Sequence, residues 1–235
     1  MNFETPAESS ITDTVSSRRR FLGFAGIGAA ALTLPGCASY GGFSFVEAIR
    51  RLLTLSSERA FDRLLATNGF YDSQVARLQL DQFLGARGSV LSSILTSGLV
   101  KDRLYRGLSD VAVKGAMRAA PAIADTIRVV GISNAIDIVR GGPTAATGFL
   151  RQNMGQRLID VMLPEIGDAL DLVSDPVIGT ALSALTGTNL QNVVYGLTDA
   201  AEETIWTEMG NEESGIRANP GQTNDPLLIG VFGVA

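Results

Sequence analysis

From Phe45 almost to the C-terminus, apolar residues recur with the spacing of a helix face and never with that of a strand. Val46, Ile49, Leu53, Ala60 and Leu64 set the pattern, while Arg50, Glu58, Arg59 and Arg63 fall on other faces. No stretch alternates with period two over a convincing length, so the sequence predicts an all-α fold: one multi-helix bundle domain over residues 44–235, with no internal repeat. Thr67–Asp72 reads as a loop because Asn-Gly is a turn signal, and 74–84 is amphipathic but ambiguous. After a break at 85–89, helices are expected at 89–99, 102–118 and 121–130, with Pro121 in the first turn of the third. Ser133 is expected to cap a short helix whose apolar positions are Ala135, Ile136 and Val139. Gly141 and Gly142 end it, and Pro143 opens another that buries Phe149 and Leu150. Further helices are expected at 155–173, from Asp175-Pro176 to Leu185, and at 191–209. Asp225-Pro226 starts a last apolar segment.

The N-terminal stretch reads as an address. Arg18, Arg19 and Arg20 precede an uncharged run from Phe21 to Leu34. As a helix that run covers about 21 Å at ~1.5 Å per residue, short of the ~30 Å hydrocarbon core of a bilayer. Residues 1–36 have the charged, apolar and small-residue regions of a signal peptide. Ser17–Gly23 resembles a twin-arginine export signal, with Arg18 and Arg19 as the pair and Phe21-Leu22 following. Leu34–Cys37, "LPGC", resembles a lipoprotein processing box in which Cys37 is acylated and becomes the new N-terminus; the alternative is an incidental cysteine beside an ordinary cleavage site. Residues 37–43 then form a lipidated, flexible tether. By resemblance to the enterobacterial sorting rule, Ala38 and Ser39 point to the outer membrane, on the periplasmic side of the bacterial envelope.

Charge removes several function classes. A net charge of −5 argues against nucleic-acid binding, and two lysines, Lys101 and Lys114, make no polybasic patch for anionic lipid. One cysteine excludes an internal disulfide. The absence of histidine removes Ser-His and Cys-His nucleophiles and almost every zinc, copper or haem site. No cofactor and no metal site are expected.

Three constellations remain. Glu202, Glu203, Glu208, Glu212 and Glu213 form an acidic cluster, read as a solvated helix face plus an acidic turn, with Glu202 and Glu203 at different azimuths. Glu213 and Arg217 have the spacing of a helical ion pair, read as structural before ligand-binding. They are expected to form one clasp with Leu227, Leu228, Val231 and Phe232, so that truncation after Pro220 destabilises far more than Arg217→Ala. Asp137, Arg140 and Arg151 flank Gly141-Gly142-Pro143 and invite the same two readings, structural or ligand-binding; the backbone amides at this turn are also a candidate anion site at a helix N-terminus.

Asn68-Gly69-Phe70, the run Asp137–Arg151 with Gly141 and Thr147, and the run Glu213–Phe232 with Ile216, Arg217, Asn219 and Pro220 together resemble the bacterial domain-of-unknown-function family 4197, over roughly residues 44–233. The resemblance implies a helical, exported protein and carries no assigned activity. The chain departs from the family's usual pattern at "VAVKGAMRAAP", residues 111–121.

The function expected is therefore an exported, lipid-anchored, non-catalytic domain that binds an envelope protein or an apolar ligand. Asn68, Asp137, Arg140, Thr147, Arg151, Glu213, Arg217 and Asn219 are its candidate binding or structural residues. The alternative is a carboxylate-dependent envelope hydrolase using some of Glu202, Glu203, Glu208 and Glu213. Two convergent carboxylates in one cleft favour the hydrolase, and an apolar groove favours the binder.

Overall fold

Helix α1, Phe45–Leu64, opens on Ser44, whose hydroxyl accepts the Glu47 amide at 3.3 Å. It buries Ile49, Leu52, Leu53, Ala60, Phe61 and Leu64 on one side. The computed structural model describes residues 39–40, 43–85, 98–171, 175–186 and 190–233. They belong to the unit Ala38–Ala235. Arg18, Arg19, Phe21, Leu22 and Cys37 lie outside the described residues, as does nearly all of the helix expected at 89–99. The described domain is all-α apart from one minimal ladder, in which Ser39–Tyr40 pairs antiparallel with Phe43–Ser44. The expected tether is thus part-paired: ladder bonds satisfy backbone groups that a free tether leaves to water.

Residues 67–72 are not simply a loop. Asn68 takes a left-handed conformation (φ 61°) and Gly69–Asp72 make one helical turn, α2. The Asn-Gly signal is real, but burial of Phe70 winds the residues after it. Gly69 is required there, since an added Cβ would lie 2.6 Å from the Leu64 carbonyl oxygen. Helix α3, Gln74–Gly85, resolves the ambiguous segment and buries Ala76, Leu80, Phe83 and Leu84.

The helices expected at 102–118 and 121–130 are one, α4, Gly98–Val129. Pro121 lies inside it, on the exposed side. The carbonyl it leaves without a donor can be hydrated there, while Leu104, Leu108, Ala112, Ala116, Ala119, Ile123 and Ile127 keep one buried stripe running past it. Small residues let α4 approach α7, Arg157–Asp171: a Cβ on Gly115 would lie 2.7 Å from Ile166 Cδ1. Arg50 of α1 donates to the Arg128 and Val130 carbonyls, at 2.8 and 3.0 Å, and so closes the C-terminus of α4.

Helix α5, Ala135–Val139, is preceded by Asn134 rather than by Ser133 and has no side-chain cap. Helix α6, Ala145–Met154, begins after Pro143; it buries Leu150 fully and Phe149 only in part. Helix α8 is Pro176–Thr186. Helix α9, Leu190–Ala218, runs on beyond the expected end at 209 because Glu213 and Ile216 continue its buried stripe. After a 3-10 turn at Pro220–Thr223, Asp225 caps α10, Pro226–Phe232, by accepting the Leu227 and Leu228 amides. Helix α9 is the spine of the bundle, packed against α1, α3, α4, α6 and α7.

Candidate functional site

A central helix should be apolar on every buried face, yet α9 buries three carboxylates, Glu202, Glu208 and Glu213. The expected solvated face with an acidic turn is therefore overturned. Ionised carboxylates stay buried only where donors meet them, and each of these collects donors from a different part of the fold.

Glu213 has no exposed surface. Its oxygens accept the Ala146 and Thr147 amides at 2.9 and 2.7 Å and Arg217 Nε at 2.7 Å. The two amides are unpaired donors of the first turn of α6. The N-terminus after Gly141-Gly142-Pro143 does hold an anion, and that anion is the chain's own Glu213. Arg217 then donates from Nη1 to the Val139 carbonyl (2.9 Å) and from Nη2 to the Ile138 carbonyl (3.0 Å), closing α5, and stacks over the Phe232 ring at 4.7 Å. One ion pair on α9 fixes the end of α5, the start of α6 and the tail α10.

Glu208 accepts the Ser73 hydroxyl at 2.8 Å, beside Arg63 of α1 at 3.6 Å. Arg63 also pairs with Glu212. Nearby, the Tyr71 ring lies within 4.6 Å of Arg77 and 4.0 Å of Arg106, and its hydroxyl donates to Asp102. That bond, with Arg106, holds the Asp102 carboxyl below its usual range. These contacts tie α1, α2, α3 and α4 together.

Glu202 is buried but lines a cleft that opens to solvent. Burial pushes its carboxyl up from the ordinary glutamate value, against the pull of Arg151 and of the Trp206 indole. Trp206 Nε1 donates to Glu202 Oε1, and Arg151 Nη2 donates to both Glu202 Oε2 (3.0 Å) and Glu203 Oε2 (2.6 Å). Glu202 and Glu203 differ in azimuth, but a guanidinium lying between them reaches both. This triad lies in an open cleft of ≈ 670 Å³. Gln79, Gln82 and Phe83 of α3 form one wall, Arg151, Gln156 and Ile159 a second, and Asp199 with Ala200 a third. A more apolar groove of ≈ 480 Å³ runs along α7 and α9 at Leu163, Pro164, Leu190, Val194 and Tyr195. Among the described residues there is no group of three or more metal-ligating side chains, and no helix is long and apolar enough to cross a membrane.

Of the residues singled out in the sequence, Thr147, Glu213 and Arg217 meet at the α5–α6 junction, and Arg151 lies further along α6 at the cleft. Asn68, Asp137, Arg140 and Asn219 are exposed and join neither. Asn68 serves through its backbone conformation. The sequence did not mark Asp199, Trp206 or the three glutamines. The four-residue spacing of Glu202 and Trp206 is a helical pair that a search of α9 for polar neighbours would find. The glutamines carry no local signal.

The model of a family described as "Protein of unknown function (DUF4197)" matches residues 39–233. No curated protein and no solved structure matches the chain.

Proposed function

We propose that this chain, which belongs to the DUF4197 family, is an exported, lipid-anchored, non-catalytic binding domain whose ligand site is the cleft between α3, α7 and α9. The observation that carries the binding reading is the Arg151 guanidinium lying between Glu202 and Glu203. Glycoside hydrolysis needs two carboxyl groups with the scissile bond between them. Here a cation fills that gap, and both Glu202 oxygens already accept from Trp206 and Arg151. A binding cleft has no such requirement. Its lining favours a polar ligand over the apolar one that composition suggests, because an apolar ligand would strand the glutamine amides and carboxylates without water.

Export and anchoring rest on Arg18-Arg19, Phe21-Leu22 and the Leu34–Cys37 box. The family match starts at residue 39, just beyond Cys37, which accords with a separate leader. Attachment in this reading comes from acyl chains on Cys37, with Ala38 and Ser39 favouring the outer membrane.

Trp206 is the only tryptophan, and its indole donates to a cleft carboxylate, so its emission reports on the cleft. Titration with small-molecule fractions from bacterial envelopes should give a saturable change that Gln156→Phe, at the exposed rim, removes. No change with any fraction, or an equal change in the variant, would end the cleft's claim. One observation favours the hydrolase as a second reading: burial moves Glu202 toward holding a proton, as a general acid must. Glycoside turnover abolished by Glu202→Gln would transfer the conclusion to that reading.

A further inference from the structure

Resting on the cleft as the ligand site, we propose that the ligand is an organic cation whose ammonium or guanidinium group replaces Arg151 as the counter-ion of Glu203. Three acidic side chains, Asp199, Glu202 and Glu203, line the cleft against one cation, Arg151. The imbalance attracts a positive ligand and repels an anionic one. The resident cation is held through one nitrogen and is open to solvent. Arg151 meets both acids through Nη2 alone, and its side chain is 42% exposed. A guanidinium fixed for structural ends spreads its bonds over several nitrogens of its planar fork, as Arg217 does through Nε, Nη1 and Nη2. Glu203 is similarly open, with 39% of its side chain exposed, so an incoming cation reaches it without unfolding the wall.

The rest of the lining sets the ligand's other chemistry. Gln79, Gln82 and Gln156 have no side-chain hydrogen bond among the described residues. Their amides offer donors and acceptors to a ligand that carries amine or amide groups along its length. A bare hard cation fits less well. It takes six to eight oxygens, and Glu202 has both of its own engaged. A volume of ≈ 670 Å³ lies within the ~300–1,000 Å³ of small-molecule sites. Two sources share this chemistry: a free polyamine, and a lysine or arginine side chain on an extended peptide.

The test is titration of the purified full chain with spermidine and, separately, with a blocked lysine-centred tripeptide, followed by Trp206 emission and by calorimetry. The expected result is saturable binding of at least one of them, weakened about tenfold by Glu203→Gln and unchanged by Asp62→Asn, an exposed acid on α1. Spermidine alone binding assigns a polyamine; the tripeptide alone assigns a basic peptide. Equal weakening by Asp62→Asn would mean non-specific attraction and would overturn the inference, as would binding that Glu203→Gln leaves intact. If neither cation binds but a neutral or anionic ligand titrates Trp206 and Gln156→Phe blocks it, the cation inference falls and the cleft stands as the site. If no ligand of any charge titrates Trp206, both fall.

Discussion

Arg217 Nε donates to Glu213 Oε1 at 2.7 Å, with Glu213 fully enclosed and the Arg217 side chain only 10% exposed. The pair is internal, not a surface decoration of the last helical turn. Its Coulombic attraction matters less than its geometry: between them the two side chains satisfy two amides of α6 and two carbonyls of α5. Removing one partner leaves a buried charge without its complement, at a cost of ~3–5 kcal/mol. Arg217→Ala should therefore lower the urea midpoint sharply, and Arg217→Lys should fail to restore it, because an ammonium cannot reach three acceptors in one plane. Arg140→Ala, on an exposed side chain, should stay within ~0.5 kcal/mol of the parent.

Truncation after Pro220 removes α10 and with it the buried Leu228, Val231 and Phe232, each contributing ~1.5–3 kcal/mol. The expectation that truncation far outweighs Arg217→Ala assumed an exposed pair, and burial of the pair removes the contrast. Both changes should be severe. Because Phe232 lies under the Arg217 guanidinium, the combined variant should lose less than the sum of the two. Additivity within ~0.5 kcal/mol in denaturant unfolding would show that the tail and the pair act separately.

Glu202 sets a pH signature. Its carboxyl is raised by burial, so the folded state holds that proton more tightly than the unfolded chain does. Stability from this group is greatest where both states are protonated and falls as pH rises from the ordinary glutamate value through the folded one. Glu202→Gln should thus compare more favourably with the parent at pH 7 than at pH 4. Paired melting curves at the two values decide it, and an advantage larger at pH 4 would reverse the assignment.

Gly69→Ala should destabilise by ~1–3 kcal/mol, since the new methyl meets the Leu64 carbonyl, which cannot swing away as a side-chain tip can. Gly142→Ala, with open space around it, is the control. Equal melting temperatures would show that α2 shifts without cost.

Cys37→Ala should release the protein from membranes, and mass spectrometry of the mature N-terminus should find Cys37 acylated and terminal. An unmodified Cys37 still joined to Gly36 would end the lipoprotein reading. Arg18→Lys with Arg19→Lys should leave precursor in the cytoplasm, because paired guanidinium groups are read by geometry.

What the sequence determined by itself was local. Periodicity fixed the helical class, Asp225 marked a helix start with a cap that forms, and the spacing of Glu213 and Arg217 set a pair within reach on one helix. Such features depend on residues within one turn of each other, so a linear reading sees them. The same reading split α4 at Pro121, because a proline's effect depends on whether the carbonyl it frees faces water. It placed the α9 glutamates in solvent, because burial of a charge is set by donors far along the chain: Arg151 lies 51 residues from Glu202, and the Thr147 amide 66 from Glu213. The cleft itself was decided only by tertiary structure. Its walls come from α3, the α6–α7 region and α9, and no local pattern records that packing a spine helix against three others leaves an opening where Arg151 and two carboxylates meet.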